Sequence, residues 1–354
     1  MRENEFIVVG QGLAGTLLTY FLLKNDCRVT VVGDGGKNSS SRIAAGIIHP
    51  VTGRRMAKSW MADTFLPFAE ETYSRCEALT ASRFYERKEI LELLREPKEM
   101  NDWLARSSDP ELAGYVSLPS TVPHSDKLHA FPYAVSIHGG YLDTGLFLDA
   151  LRLYIKKSCR VVDETFSFDS FRAEEDRVVY KDLDASRILF CEGYKGMTNP
   201  YWKDLPWQPS KGELLLIRCE DLQAEEIITR KIFILPVSAG IYKAGSTYAW
   251  DSLNEIPTEE ARGKLCHELK KILKVPFEVI GHLAGVRPTV KERRPFLGFH
   301  PRQKRVGIFN GLGTKGVMTG PWLANHLSEH CRYHHPLLPE TDVNRYAEIL
   351  QNPS

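Results

Sequence analysis

The chain carries no strong charge of either sign. Lysine and arginine number 46 against 45 aspartates and glutamates, a net charge of +1, so bulk electrostatics give no drive towards nucleic acid or an anionic membrane. It has no run of the ~20 apolar residues that a helical membrane span needs. Residues 1–5 lead straight into an apolar stretch and lack the charged-then-apolar order of a signal peptide. Cysteine is sparse: the seven, at 27, 76, 159, 191, 219, 266 and 331, are scattered, odd in number and form no C-x-x-C pair. That argues against a cysteine-bound metal and against a disulfide framework, and for reduced thiols in the cytosol. There is no internal repeat and no low-complexity linker.

What the chain does have begins at once. At 354 residues with 43% apolar side chains, about two domains with packed cores are expected. Phe6, Ile7, Val8 and Val9 suit a strand buried on both faces. Gly10-Gln11-Gly12-Leu13-Ala14-Gly15 follows. In such a turn the first glycine permits the tight bend, the second lets backbone approach a pyrophosphate, and the third lets helix pack close on strand. Leu17, Leu18, Phe21 and Leu22 then recur at helical spacing, and Val29 to Val32 form a second β-branched strand. This is a βαβ unit whose helix N-terminus points free N–H groups at a phosphate. One position departs from the motif. The acid that grips the ribose normally ends the second strand, where this chain has Gly33; Asp34 comes one residue late. Either Asp34 swings in, or the loop at 35–38 serves the ribose through its backbone.

Further along, small residues at 37–55 surround Ala44-Ala45-Gly46 and allow close backbone approach to a ligand. Residues 57–78 read as a helix with Trp60, Phe65, Phe68 and Tyr73 available for packing. Residues 87–100 read as a charge-rich helix with a solvated face. Gly139-Gly140 reads as a turn, followed by a helix over 146–157 capped by Asp143 or Thr144. Short strands are expected at 160–163, 178–180 and 187–190, the last running into Cys191-Glu192-Gly193. Residues 211–247 are strand-rich with turn signals between runs, so an antiparallel sheet is expected there. An amphipathic helix follows at 257–274, then Gly285-Val286-Arg287-Pro288, and finally Gly311-Leu312-Gly313-Thr314-Lys315-Gly316 leading into a helix.

Taken in order, these blocks resemble the FAD-dependent D-amino acid oxidase superfamily, which includes glycine and sarcosine oxidases. Two of them, residues 45–50 and 313–316, are similar to the FAD domain of the bifunctional tRNA 5-methylaminomethyl-2-thiouridine biosynthesis protein. The resemblance implies an α/β fold: a Rossmann-like FAD-binding domain with an interleaved α+β substrate domain built on a mostly antiparallel sheet. The FAD part would comprise 1–80, 140–206 and 283–354, and the substrate part 81–139 and 207–282. It implies that FAD is held by Gly10, Gly12, Leu13, Ala14, Gly15, Asp34, Arg42, Ala44, Ala45, Gly46, Phe166, Cys191, Glu192, Gly193 and residues Gly311, Leu312, Gly313, Thr314, Lys315 and Gly316. No covalent-flavin cysteine motif is intact, so the FAD is expected to be noncovalent, and no metal is needed.

The expected reaction is hydride removal from the carbon beside an amine nitrogen of a small amino acid or secondary amine, with hydrolysis of the imine. The alternative is oxidative removal of a carboxymethyl group from an aminomethyl-uridine of tRNA. In the resembled oxidases the arginine of Gly-x-Arg-Pro grips the substrate carboxylate, so Arg287 is the main candidate; pairing with a structural acid such as Glu292 is the alternative. A planar guanidinium gives the bidentate geometry a carboxylate needs. Lys315 either stabilises reduced flavin, holds a carboxylate, assists oxygen reduction, or faces solvent. Tyr242, Tyr248 and Trp250 either wall the substrate pocket or are core. His49 packs or touches substrate.

Overall fold

The computed structural model describes residues 4–35, 40–52 and 57–351. Its centre is the strand Glu5–Val9, whose side chains alternate between two cores. Phe6 and Val8 join a cluster with Leu17, Phe21, Phe147 and Leu327, while Ile7 and Val9 join Ile188, Phe190 and Ile308 on the other side. That two-sided burial explains the unbroken apolar run. The strand sits inside a six-stranded sheet ordered Phe296–Phe299, Val306–Asn310, Arg187–Phe190, Glu5–Val9, Arg28–Val32, Arg160–Val162. All neighbours are parallel except the first pair. Helices Leu13–Lys24, Ala62–Thr80, Thr144–Ser158 and Gly316–Tyr333 cover one face. A small sheet of Phe171–Ala173, Val178–Tyr180 and Leu183–Ala185 covers the other.

A second, nine-stranded sheet runs Glu278–Arg287, Ser210–Arg218, Ile241–Gly245, Phe233–Ser238, Ile227–Thr229, Tyr85–Leu94, Tyr133–Leu142, Ile47–Ile48, with Ser120–Thr121 also on Tyr133–Leu142. Among the described residues its one parallel pair is Ile227–Thr229 with Tyr85–Leu94. The fold is thus mixed α/β, with the expected antiparallel sheet as its second layer. The chain passes from the first sheet to the second between residues 32 and 47, back between 142 and 160, across again between 190 and 210, and home between 287 and 296.

Two local expectations are corrected. Residues 87–100 are not one helix: Tyr85–Leu94 is a strand paired residue for residue with Tyr133–Leu142, and helix Pro97–Ser107 starts afresh behind a capping box of Glu96 and Glu99. Ten cross-strand pairs outweigh the helical leaning of Glu and Lys, and Pro97 keeps Glu96 extended. Gly139 and Gly140 are inside that partner strand rather than in a turn, where a side chain on Gly139 would meet Ile48 O at 2.5 Å. The helix beyond is capped by Asp143, whose carboxylate accepts from Leu146 N at 3.0 Å. The expected junctions at 139/140 and 282/283 both fall inside strands of the larger sheet.

Candidate active site

Three adjacent parallel strands end in glycine-bearing loops on one edge of the six-stranded sheet. Glu5–Val9 runs into Gly10–Gly15 (10–15), Arg187–Phe190 into 191–193, and Val306–Asn310 into 311–316. Ligands bind α/β sheets in the crevice beyond such carboxyl ends. The early turn is built by close approach. Gly10 has φ +101° and its N–H donates to Val32 O at 2.9 Å. A Cβ on Gly15 would overlap the Gly10 carbonyl oxygen, and one on Gly10 would meet Cys191 O at 2.5 Å. Helix Leu13–Lys24 therefore starts hard against the strand ends, with Gly12 as its N-cap, no capping side chain of its own, and no acid in its first turn.

Several tethers join the loops, and local sequence does not announce them. Ser41 Oγ accepts from Leu13 N at 3.0 Å. The buried Asn310 donates its amide to Gly193 O at 2.9 Å and accepts from Gly311 N at 2.8 Å, tying the middle loop to the late one. Gly316 packs beside Leu13, so helices Leu13–Lys24 and Gly316–Tyr333 share an interface. Gly46, at φ +77°, accepts from Leu142 N at 2.9 Å and leads into the edge strand Ile47–Ile48. Ala44 and Ala45 stand half-buried just before it.

Other expected cofactor residues are engaged elsewhere through their side chains. Arg42 is ion-paired with Asp149 at 2.5 Å. Phe166 stacks on Tyr180 at 4.4 Å within an aromatic cluster. Glu192 accepts from Asn199 at 2.6 Å, and burial pushes its carboxyl up to about 7. Burial raises the Cys191 thiol well above its ordinary range, so it is no thiolate nucleophile. Leu312 is half-buried and Thr314 exposed. Asp34 is exposed just past Gly33; of the loop expected to serve the ribose, residues 36–38 lie outside the described residues.

Arg287 closes the strand Glu278–Arg287. Gly285 of that strand lies against Ser40 and Ile43, and Thr289, two residues past its end, lies against Gly313. The guanidinium donates to Ser246 Oγ at 2.7 Å and to Thr247 O at 3.3 Å, and sits 4.4 Å from the centroid of the Tyr248 ring. It lies across Gly212, where any Cβ would overlap it. Among the described residues it has no carboxylate partner; Glu292 faces Arg345 instead, at 3.8 Å. A half-buried cation held only by neutral oxygens and a ring face suits an incoming anion. The loop supplying those oxygens is pinned by buried Glu213, whose carboxylate accepts from Thr258 N at 2.7 Å and whose backbone O accepts from Thr247 N at 3.1 Å.

Lys315 is not solvent-facing. It donates to Thr52 Oγ1 at 2.7 Å and to Ser59 Oγ, and burial, then Arg293, bring its ammonium down to about 8. Burial and the Lys315 charge bring His49 down to about 4, so that imidazole is neutral at pH 7. Tyr248 and Trp250 are 55% and 58% exposed and stack at 6.4 Å beside Arg287.

Tyr242 is removed from the site. In the antiparallel register Leu214 opposes Gly245, Leu216 opposes Lys243 and Ile217 opposes Tyr242, while Ser210 opposes Arg287. Side chains alternate, so Tyr242 shares the opposite face from Arg287. There it is buried under helix Glu259–Ile272 and its hydroxyl accepts from Ala224 N at 3.2 Å. Its neighbour Lys243 is on the Arg287 face, half-buried, its ammonium pulled below the ordinary lysine range by burial.

Comparison with known proteins bears on the whole of this arrangement. The profile of the DAO family, described as FAD dependent oxidoreductase, matches residues 5–330. The glycine oxidase of Pseudomonas putida is 23% identical over 344 residues, covering 90% of this chain and 92% of that one. The bifunctional protein MnmC of tRNA 5-methylaminomethyl-2-thiouridine biosynthesis from Marinobacter nauticus is 20% identical over 92% of this chain but only 55% of its own length. Among solved structures, iminodiacetate oxidase from Chelativorans sp. BNC1 superposes with a TM-score of 0.81 at 18% identity, covering 97% of this chain and 98% of that one.

Proposed function

Because this chain belongs to the DAO family of FAD dependent oxidoreductases, we propose that it oxidises a small carboxylate-bearing amine. The substrate class is a glycine-, sarcosine- or D-amino acid-like compound. The C–H bond beside nitrogen breaks, the electron pair leaves as hydride, and the resulting imine is hydrolysed by water. The observation that carries this reading is Arg287, a half-buried guanidinium with no carboxylate partner among the described residues, at the end of a strand that passes Ser40 and Ile43 and leads to Thr289 beside Gly313.

The residues present fit FAD: Gly10 and Gly15 leave no room for a Cβ, and beyond them opens a helix N-terminus that has no acid in its first turn and whose Leu13 N–H is taken by Ser41 Oγ. FAD when bound supplies the acceptor for the hydride at flavin N5. Residues 10–15, 44–46, 193 and 311–316 would hold it, noncovalently, since the Cys191 thiol is buried and protonated. Arg287 anchors the carboxylate and so fixes which carbon faces the acceptor. Lys315 adds positive charge near the amine. A like charge favours the neutral form of a neighbouring ammonium, and only the neutral amine can give up the hydride. The division into a cofactor part and a substrate part would follow the two sheets, ending at Leu142 and Arg287 rather than at 139 and 282. Seven free cysteines support a cytosolic setting, and no helix of the described residues is long and apolar enough to cross a membrane.

The exposed stack of Tyr248 and Trp250 beside Arg287 favours one second reading, an amine carried on a nucleobase of tRNA. Anaerobic mixing of the holoenzyme with amino acids, N-methyl amino acids and carboxymethylaminomethyl-bearing tRNA tests both. A free amine bleaching the flavin supports the first reading, bleaching by tRNA alone the second, and bleaching by neither refutes oxidation of amines.

Lys315→Met tests the charge. Lys315 is charged below pH about 8 and neutral above it, so its help to the substrate amine is present on the acid side and lost as pH rises through that value. The variant is expected to move the acid limb of the flavin-reduction rate to higher pH by roughly one unit, with the two proteins converging above pH 8. Reoxidation by oxygen, measured separately, reports any further role. No change in either half-reaction would remove Lys315 from the mechanism.

A further inference from the structure

The position where a ribose-binding acid would stand is Gly33, at the end of strand Arg28–Val32. What lies beside it is Gln11, the residue between the first two glycines of the early turn. A Cβ on Gly33 would rest 3.4 Å from Gln11 Cγ and from Gln11 N, an ordinary contact. The Gln11 side chain thus borders the space that an acid at 33 would use. Gln11 is 7% exposed, and both its Oε1 and its Nε2 are buried with no hydrogen-bond partner among the described residues. An unpaired amide at such depth is costly and rare, so it calls for a ligand. One carboxamide offers a donor and an acceptor together, and a ribose diol offers the complement of each. Asp34, the other candidate for this task, is exposed one residue further on.

We propose that Gln11 takes over the work of the absent acid, its carboxamide holding the adenosine ribose hydroxyls of FAD. This rests on the family's cofactor and is independent of which amine is oxidised. The probe is FAD itself against the FAD analogue whose adenosine lacks the 2′-hydroxyl. Holoenzyme loaded with either is diluted serially, and release is read from free-flavin fluorescence as a Kd. Wild type is expected to hold FAD about tenfold more tightly than the analogue. Gln11→Leu keeps the volume and removes the amide; it should weaken FAD about tenfold and bring the ratio of the two Kd values to near one. Moving the acid back, in the double variant Gln11→Ala with Gly33→Glu, should restore the ratio. Circular dichroism at saturating FAD separates these effects from misfolding, and a misfolded Gln11→Leu leaves the wild-type ratio and the double variant to decide. A ratio near one in wild type, a ratio that survives Gln11→Leu, or unchanged FAD affinity in that variant would overturn the assignment.

Discussion

Replacing Arg287 with alanine is expected to raise KM for a carboxylate-bearing amine by about a hundredfold, while FAD stays bound. Losing a partly buried charge-assisted contact costs about 3 kcal/mol, which is that factor. An amine of the same size without a carboxylate should show little change, because it never used the guanidinium. Gly212→Ala offers the same test by another route. A methyl there would overlap the guanidinium and displace it from Ser246 and Thr247, so a similar rise in KM is expected with Arg287 still in the sequence. Steady-state kinetics on both substrates measure this, and an unchanged KM in Arg287→Ala would refute the carboxylate role.

Gly15→Ala should have the largest effect on the cofactor. The added methyl overlaps the carbonyl oxygen of Gly10, which is backbone and cannot step aside as a side chain can. Helix Leu13–Lys24 would be pushed away from the strand ends and its N–H groups carried off the phosphate site. The protein is expected to purify colourless, with FAD affinity reduced by at least about a hundredfold, equivalent to roughly 3 kcal/mol. Gly263→Ala is the control. It is in helix Glu259–Ile272 with open space around it, so alanine there should stabilise by up to about 1 kcal/mol. Flavin absorbance per mole of protein distinguishes the two. A yellow Gly15→Ala protein of normal affinity would mean that the early turn does not cradle the pyrophosphate.

The parts legible in sequence were those written locally. The strand, glycine turn and helix of residues 5–24 follow from adjacent residues, as do the glycines after Phe190 and Asn310. What escaped was decided by partners distant in sequence. Tyr85–Leu94 carries charges that suit a helix, and only its register with Tyr133–Leu142 makes it a strand. Tyr242 and Lys243 differ by one position, yet a period of two sends one to the helix-covered face and the other to the face of Arg287. Choosing between them needs the pairing with Ser210–Arg218, which neither strand encodes alone. The tethers made by Ser41 and Asn310 span 28 and 117 residues and leave no local pattern. Arg287, by contrast, stood out because Gly-x-Arg-Pro is a compact motif, although the reason for Gly212 appeared only once the guanidinium was seen lying across it.

The four passages of the chain between its two sheets carry a consequence for how such a protein can diversify. No single cut releases either layer as a contiguous piece, so neither can be exchanged for a foreign module by simple fusion. New specificity has to be acquired by substitution in place, most readily on the rim around Tyr248 and Trp250, where exposed side chains can be replaced without disturbing a crossing. A lineage built this way keeps its nucleotide-holding edge and drifts at its mouth.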